Sequence, residues 1–305
     1  MRAHESPNVT FIDPDGSWPI VWERAKDVYV WDAEGRKYLD LTAAFGVAAT
    51  GHANSRVVSA GQKQMARLLH AMGDVHPHAL KAQLARELSR VTFERWRYKS
   101  KVQSPKSKVG NSNSKLHAPE SKVQSPYLGK VIYCNSGFEA VEAALKTAML
   151  ATGKAGVIAF EGAYHGLGYG ALNATHRAHF RSPFRKQLRQ FSEFLPFPSA
   201  SRTLGVSANG TDHDSEIRKG WQATLDRLET TIGTLVRRKP IGAILVEPIQ
   251  VRGGIRIPPS EFLPMLRALC DQHGALLIVD EIYTGFGRTG KWFACEHSAT
   301  VPDLI

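Results

Sequence analysis

The stretch Ala275 to Gly290, ALLIVDEIYTGFGRTG, constrains this chain more than any other. Five apolar residues, Ala275 to Val279, run without alternation and end in Asp280 and Glu281. A short unbroken run with β-branched residues at its end predicts a strand buried on both faces of a parallel sheet. Ligands in such sheets bind outside the carboxyl ends of the strands, so Asp280 is expected at a ligand. A carboxylate there is costly unless a cation faces it.

Several readings compete for the residues beyond this strand. Gly285, Gly287 and Gly290 spell the dinucleotide fingerprint G-x-G-x-x-G, and Gly285 to Lys291 spells most of a phosphate-binding loop. The first wants a glycine directly off the strand and a helix after the last one. Here Glu281 to Thr284 intervene, and KWFACEHS has no clear helical period. The second wants Ser or Thr after the lysine, where Trp292 stands. A third reading makes Asp280 the partner of a pyridinium nitrogen, which keeps pyridoxal phosphate protonated as an electron sink. The bland alternative is a strand end with no ligand.

A chain of 305 residues accommodates one large domain or two ordinary ones. Cys134, Cys270 and Cys295 are odd in number and widely spaced, which excludes a disulfide framework and a metal ribbon and points to a reducing cytoplasm. The start, MRAHESPNVT, lacks the apolar run of a signal peptide, and no stretch approaches the roughly 18 apolar residues of a membrane span. No membrane partner is expected. The net charge is +11, part of it local to Ser100–Pro126, which holds five lysines and one glutamate. No basic helix interleaved with aromatics accompanies it, so no nucleic-acid partner is expected.

Val28 to Trp31 and Lys37 to Leu41 flank the turn Asp32–Gly35 and predict a hairpin. Val57, Val58, Gly61, Met65, Leu68 and Leu69 come next at helical spacing, a face expected to pack in a core. His70, Asp74, His76 and His78 cluster, but Pro77 and the spacing favour surface histidines over a metal site, and no metal is expected. Ala82 to Val91 predicts a helix with Leu84, Leu88 and Val91 on one side. SKVQSP then occurs at Ser100–Pro105 and again at Ser121–Pro126. Residues 94–126 read as a disordered low-complexity insertion that cannot bury enough apolar area to offset its ordering entropy.

Lys130 to Tyr133 predicts a short strand, Asn135–Gly137 a turn, and Glu139 to Ala151 a helix with Val141, Ala144, Leu145 and Ala148 inward. Glu142 and Lys146 pair at i, i+4, and Gly153 closes the helix. Strand, Ser-Gly turn and helix can hold a phosphate on free N–H groups at the positive dipole end; an ordinary βα turn looks the same. Gly156 to Phe160 predicts the next strand, and Tyr164 beyond it can stack on a planar ring or be a core tyrosine. Arg181 to Pro198 reads as a basic connection, Gly205 to Asp214 as loop, and Trp221 to Val236 as helix. Ile241 to Val246 predicts a buried strand ended by Glu247-Pro248, and Pro264 to His273 a helix closed by Gly274. Strands alternating with helices give an α/β fold with a largely parallel sheet.

In order, the chain carries D-x-x-G-x-x-Y-L-D at Asp32–Asp40, GH at Gly51-His52 and SG-x-EAVEAALK at Ser136–Lys146. YHG at Tyr164–Gly166, EPIQ at Glu247–Gln250 and DE-x-x-TGFGRTGK at Asp280–Lys291 complete the series. From near Asp27 to Ile305 the sequence resembles the class-III aminotransferases, the ornithine and 4-aminobutyrate type of pyridoxal-phosphate enzyme. The resemblance implies the fold-type-I, aspartate-aminotransferase-like architecture, with helices on both faces of a mostly parallel sheet and its C-terminal part missing. It implies residues 1–60 as part of a small domain and 61–305 as an incomplete large domain that binds pyridoxal 5'-phosphate.

The resemblance also implies roles. Ser136, Gly137 and the amide of Phe138 hold the cofactor phosphate. Tyr164 and Ile282 flank the ring, Asp280 binds its nitrogen, and His165 belongs to the same cofactor set. Tyr283 stands where the family often has a glutamine near the ring hydroxyl, and Glu247 supports the site from behind. Three positions depart from the family. Phe138 replaces a residue that is often Ser or Thr, Leu167 replaces a carboxylate-binding arginine, and Arg252 replaces a glutamate that gates a second arginine. The lysine that binds the cofactor covalently is expected a few residues past Ile305, so residues 1–305 are expected to hold no catalytic residue and to be inactive. The implied reaction moves an amino group from an amine or amino acid to a keto acid or aldehyde, in a cytoplasmic homodimer. An aminomutase or decarboxylase of the same fold, a non-catalytic remnant and a nucleotide-binding module are the alternatives.

Overall fold

The computed structural model describes residues 3–5, 10, 12–15, 18–73, 75–96, 128–199 and 213–305, excepting the side chains of 213–218. The chain divides into two compact units, Met1–His78 and Ala79–Ile305. The boundary lies beyond residue 60, because helix α1 (Ser55–Arg67) continues directly from the segment that the first unit pins at His52.

The first unit is a three-stranded antiparallel sheet, β1 (Trp22–Lys26), β2 (Tyr29–Asp32) and β3 (Lys37–Leu39), in the order β1-β2-β3. The expected hairpin is β2–β3. β1 is additional: its sequence, WERAK, has no apolar alternation to reveal it. Asp32 staples the turn, accepting from the N–H of Glu34 at 3.1 Å and of Arg36 at 2.8 Å, from Arg36 Nε at 2.6 Å and from Tyr38 Oη at 2.9 Å. Asp40 meets His52 Nε2 at 2.8 Å and accepts from the N–H groups of Thr42 and Ala44; those contacts hold its carboxyl far below the usual range. The motif residues of this unit therefore serve its own architecture.

α1 is capped by Asn54, whose Oδ1 accepts from Arg56 N–H at 3.1 Å. Its apolar face does not enter a core: Val57, Val58 and Met65 are exposed, as is Leu69 just beyond it, and no residue of the helix is buried. Val30 is the only buried hydrophobic residue described in this unit, so a small hairpin supplies little to cover the helix. Among the described residues no three His, Cys, Asp or Glu side chains converge as for a metal ion; Asp74 lies outside them.

In the second unit, α2 (Ala79–Ser89) runs into a wide turn, Arg90–Glu94, where Thr92 leaves helical geometry and its hydroxyl donates to Leu88 O at 2.6 Å. Trp96 is buried and meets Phe93 and Phe293 edge-on, at 5.4 and 5.8 Å between ring centroids. Residues 94–96, expected at the start of a disordered segment, thus belong to the folded unit. Both SKVQSP copies lie outside the described residues.

Four parallel strands build the sheet: β4 (Gly156–Phe160), β5 (Ser192–Leu195), β6 (Ile241–Val246) and β7 (Leu276–Val279), in the order β5-β4-β6-β7. Alternate residues serve opposite faces. Ile158, Phe160, Ile244, Val246, Leu277 and Val279 pack with Leu225, Leu228 and Ile232 of α6 (His213–Arg238) and with Phe262 and Leu266 of α7 (Phe262–His273). Val157, Ala159, Ala243, Leu245 and Ile278 pack with Val141, Leu145 and Ala148 of α3 (Gly137–Thr152) and with Ala171 and Ala174 of α4 (Tyr169–Ala174). Helices therefore cover both faces, and the alanine-rich side lets α3 and α4 lie close.

Two expectations change here. Ser192–Leu195, within the presumed connection, is the edge strand β5 beside β4, after a short helix α5 (Ala178–Arg181). Lys130–Tyr133 is not a strand: a strand needs a neighbouring backbone, and this segment has none among the described residues. It borders a cavity of about 780 Å³ whose other wall is the edge of β7 with Val301–Ile305.

Candidate cofactor site

The carboxyl ends of β4, β6 and β7 and the start of α3 converge. Glu247 directly succeeds β6, and Asp280 directly succeeds β7. The loop after β4 carries Tyr164 and His165 across both. His165 is fully buried, and its Nδ1 lies 2.7 Å from Asp280 Oδ2. With an acceptor carboxylate opposite, Nδ1 carries the proton; Nε2 is buried with no partner among the described residues. Asp280 Oδ1 accepts from Ile282 N–H at 3.1 Å. Tyr164 N–H donates to Glu247 Oε1 at 3.0 Å.

Two glycines make the convergence possible. Gly166, at φ +115°, backs onto Phe138 so closely that a side chain would overlap it. At Gly137 an added Cβ would lie 2.9 Å from Ile282 Cδ1. The first turn of α3 is thereby set against both the YHG loop and the residues after β7. Ser136 caps α3, its Oγ accepting from Glu139 N–H at 3.4 Å, and the N–H groups of Gly137 and Phe138 have no acceptor within the helix.

Burial pushes the Glu247 carboxyl up to about 7, against the opposing effects of His165 and the N–H groups of Tyr164 and Val251. Burial also pushes the Cys270 thiol up to about 12 and raises Cys295, so both are inert packing residues. The structure thus brings Gly137, Phe138, Tyr164, His165, Glu247, Asp280 and Ile282 into one chain of contacts, with Ser136 at its edge. Tyr283 is half-buried and joins none of these contacts.

Two residues to which sequence patterns assign no part are central. Thr175 is fully buried; its hydroxyl accepts from His165 N–H and donates to Gly166 O, both at 2.9 Å, and so sets the loop. Glu281 accepts from Ala294 N–H at 2.9 Å, from Cys295 N–H at 2.8 Å and from the Thr284 hydroxyl, which ties the glycine loop back on itself. Only a short 3₁₀ turn, Ala294–Ser298, comes after that loop, so neither glycine signature leads into the α-helix N-terminus that nucleotide binding needs. Arg252, at the position where the family carries a gating glutamate, lies over the Tyr164 ring at 4.2 Å from its centroid. A hydrogen-bonded hydroxyl and a stacked guanidinium leave no mark in hydrophobic periodicity.

Residues 12–305 match the aminotransferase class-III family. The chain is 34% identical over its whole length to an acetylornithine aminotransferase of Methanopyrus kandleri, of which it covers 62%. It is also 34% identical over 286 residues, 94% of this chain and 56% of the relative, to a 5-aminovalerate aminotransferase of Pseudomonas aeruginosa. Among solved structures, an amine transaminase from an uncultivated Pseudomonas species, in its pyridoxal-phosphate-bound form, matches with a TM-score of 0.75. The identity is 24%, and the match covers 98% of this chain and 60% of that one. An (S)-enantioselective omega-transaminase from Thermomicrobium roseum matches with a TM-score of 0.72 at 26% identity, over 94% of this chain and 56% of that one. The chain spans about three fifths of the length of these relatives. Its parallel sheet, helices on both faces and match to one family over almost every residue lead to one assignment: the chain belongs to the class-III aminotransferases, with the fold-type-I architecture.

Proposed function

We propose that this chain carries the cofactor-binding part of a pyridoxal-phosphate aminotransferase. The observation that carries the reading is the Asp280–His165 pair at the end of β7, set against the first turn of α3. The residues fit the group. A buried carboxylate backed by an imidazole suits a protonated pyridine nitrogen, and the free N–H groups of Gly137 and Phe138, with the Ser136 hydroxyl, suit a phosphate. Tyr164 and Ile282 would border the ring, and Glu247 would fix the Tyr164 backbone. When bound, the cofactor supplies an electron sink for proton removal beside the amino group. The chain's own residues orient the ring and hold a proton at its nitrogen. An amine or amino acid as donor and a keto acid or aldehyde as acceptor accord with this reading. Titration of pyridoxal phosphate into the protein, monitored by absorbance, tests it: saturable binding at one site per chain is expected, lost on Asp280→Ala, and non-saturable binding would overturn it.

The covalent lysine is proposed to be absent from these residues. Lys154 Nζ donates to His273 O at 3.1 Å, Lys291 Nζ to Glu296 O at 2.9 Å, and Lys146 lies 3.9 Å from Glu142. Lys130 borders the same cavity as Asp280. Borohydride reduction of the loaded protein with mass mapping is expected to label no lysine stoichiometrically, and one fully labelled lysine would refute the proposal. A cytoplasmic homodimer completes the reading. The free thiols Cys134, Cys270 and Cys295 support the compartment, and the exposed Val57 and Met65 of α1, with Leu69 just beyond it, support an assembly that covers them. No helix among the described residues is long and apolar enough to cross a membrane.

A further inference from the structure

The loop after β6 presents a cation with no acidic partner among the described residues. Arg252 sits 4.2 Å over the centroid of Tyr164 and 6.0 Å from that of Phe180, and these two rings are 5.4 Å apart. It forms no ion pair among the described residues, although eight lysine or arginine pairs are formed elsewhere among them. Its backbone is pinned. Gln250 and Arg256 exchange N–H···O bonds of 3.1 and 2.9 Å, and the N–H groups of Gly254 and Ile255 both return to Val251 O at 3.1 Å. The loop's near end is also tied to Tyr164, through Glu247. An arginine stacked by its face keeps its N–H edges free, and those edges match a carboxylate in bidentate fashion.

The segment that carries both rings is basic in sequence. No acidic residue lies between Glu161 and Glu193, while Arg177, Arg181, Arg185, Lys186 and Arg189 do. Arg181 lies 4.8 Å over Phe194 and donates to Gln190 rather than to an acid. An excess of cations in a segment raises the local concentration of anions.

We propose that Arg252 is a specificity-determining residue that binds the carboxylate of an anionic substrate beside Tyr164, so that the site selects amino or keto acids over neutral amines and ketones. The assignment deepens the aminotransferase reading and rests on it. The test uses the 305-residue protein, saturated with pyridoxal phosphate by absorbance, with glutarate as an unreactive dicarboxylate and cyclohexanone as a neutral ketone in calorimetric titrations. Glutarate is expected to bind more tightly than cyclohexanone. Arg252→Gln is expected to weaken glutarate about tenfold or more and leave cyclohexanone unchanged, with Arg252→Lys between, because a lysine keeps charge but not the fork. Equal glutarate affinity in Arg252→Gln and the parent, or no glutarate binding by the parent, would overturn the proposal. Cofactor titration is read separately. If pyridoxal phosphate fails to bind, the aminotransferase reading falls, and the glutarate difference measured without cofactor still decides whether Arg252 forms an anion site.

Discussion

Asp280 and Glu247 end neighbouring parallel strands, both are largely buried, and both hold the YHG loop. They differ in what is aimed at them. Asp280 receives an imidazole N–H on one oxygen and a backbone N–H on the other. Glu247 receives the Tyr164 N–H on one oxygen and a weaker contribution from Val251, and burial pushes it up to about 7. Position at a strand end does not decide the fate of a carboxylate; the donors around it do. Glu281, one residue beyond Asp280, makes the same point, since its three donors close a loop and leave nothing free for a ligand.

Removing Asp280 is the severest way to break this comparison. Asp280→Ala leaves His165 buried without its acceptor and Ile282 N–H without its own. Leaving a buried donor without its acceptor costs about 1–3 kcal/mol. Urea denaturation is expected to show a loss of that order, along with loss of cofactor binding. A stability change under about 1 kcal/mol would mean that His165 finds another acceptor and that the pair is not what fixes the loop.

Glu247 should behave in the opposite sense. Its folded-state value of about 7 lies above its ordinary 4.5. Between those values the folded protein holds a proton that the unfolded chain releases, so stability falls as pH rises from about 4.5 to about 7 and is then level. The full penalty at pH 8 is on the order of 3 kcal/mol. Glu247→Gln keeps an acceptor for Tyr164 N–H and cannot ionise. It is expected to be about 1–3 kcal/mol more stable than the parent at pH 8, to match it near pH 4.5, and to lose this part of the pH slope. Denaturation at several pH values checks this, and parallel curves for parent and variant would count against it.

Donors and neighbours also separate what the sequence disclosed from what it hid. β4, β6 and β7 were legible because strands covered on both faces are unbroken apolar runs. α3 was legible from its period and its Ser136 and Gly153 ends. β5 was not: SEFL is a four-residue edge strand inside a basic, Phe-rich stretch. KVIY has strand composition but no described neighbour, and α1 has a helical face but nothing of its own unit to cover it. Composition reports what a segment can pair with, and tertiary structure decides whether a partner is there. In the site, Asp280 and Glu247 were visible as charges ending apolar runs, and the other candidate residues came from the family resemblance. Thr175 and the stacking of Arg252 on Tyr164 depend on a loop folding back across the sheet, which no local pattern records.

Glu142 gives the smallest and sharpest test. The i, i+4 spacing pairs it with Lys146, but the ammonium is 3.9 Å away and Lys146 is 74% exposed. Its closer partners are backbone groups: Oε1 accepts from Gly170 N–H at 2.6 Å and from Ala171 N–H at 3.0 Å, at the start of α4. Glu142 therefore caps a helix distant in sequence, a carboxylate fixed by N–H donors as Asp280 is. Lys146→Ala is expected to change stability by less than about 0.5 kcal/mol, as for an exposed pair. Glu142→Ala is expected to cost about 1–2 kcal/mol, as for a lost helix cap, because it strands two N–H groups that Ala171 and its neighbours keep from water. The double variant should cost no more than Glu142→Ala alone. Equal losses from the two single substitutions, with a coupling of the same size between them, would show that the ion pair rather than the cap holds Glu142, and the rule drawn from Asp280 and Glu247 would not extend beyond the strand ends.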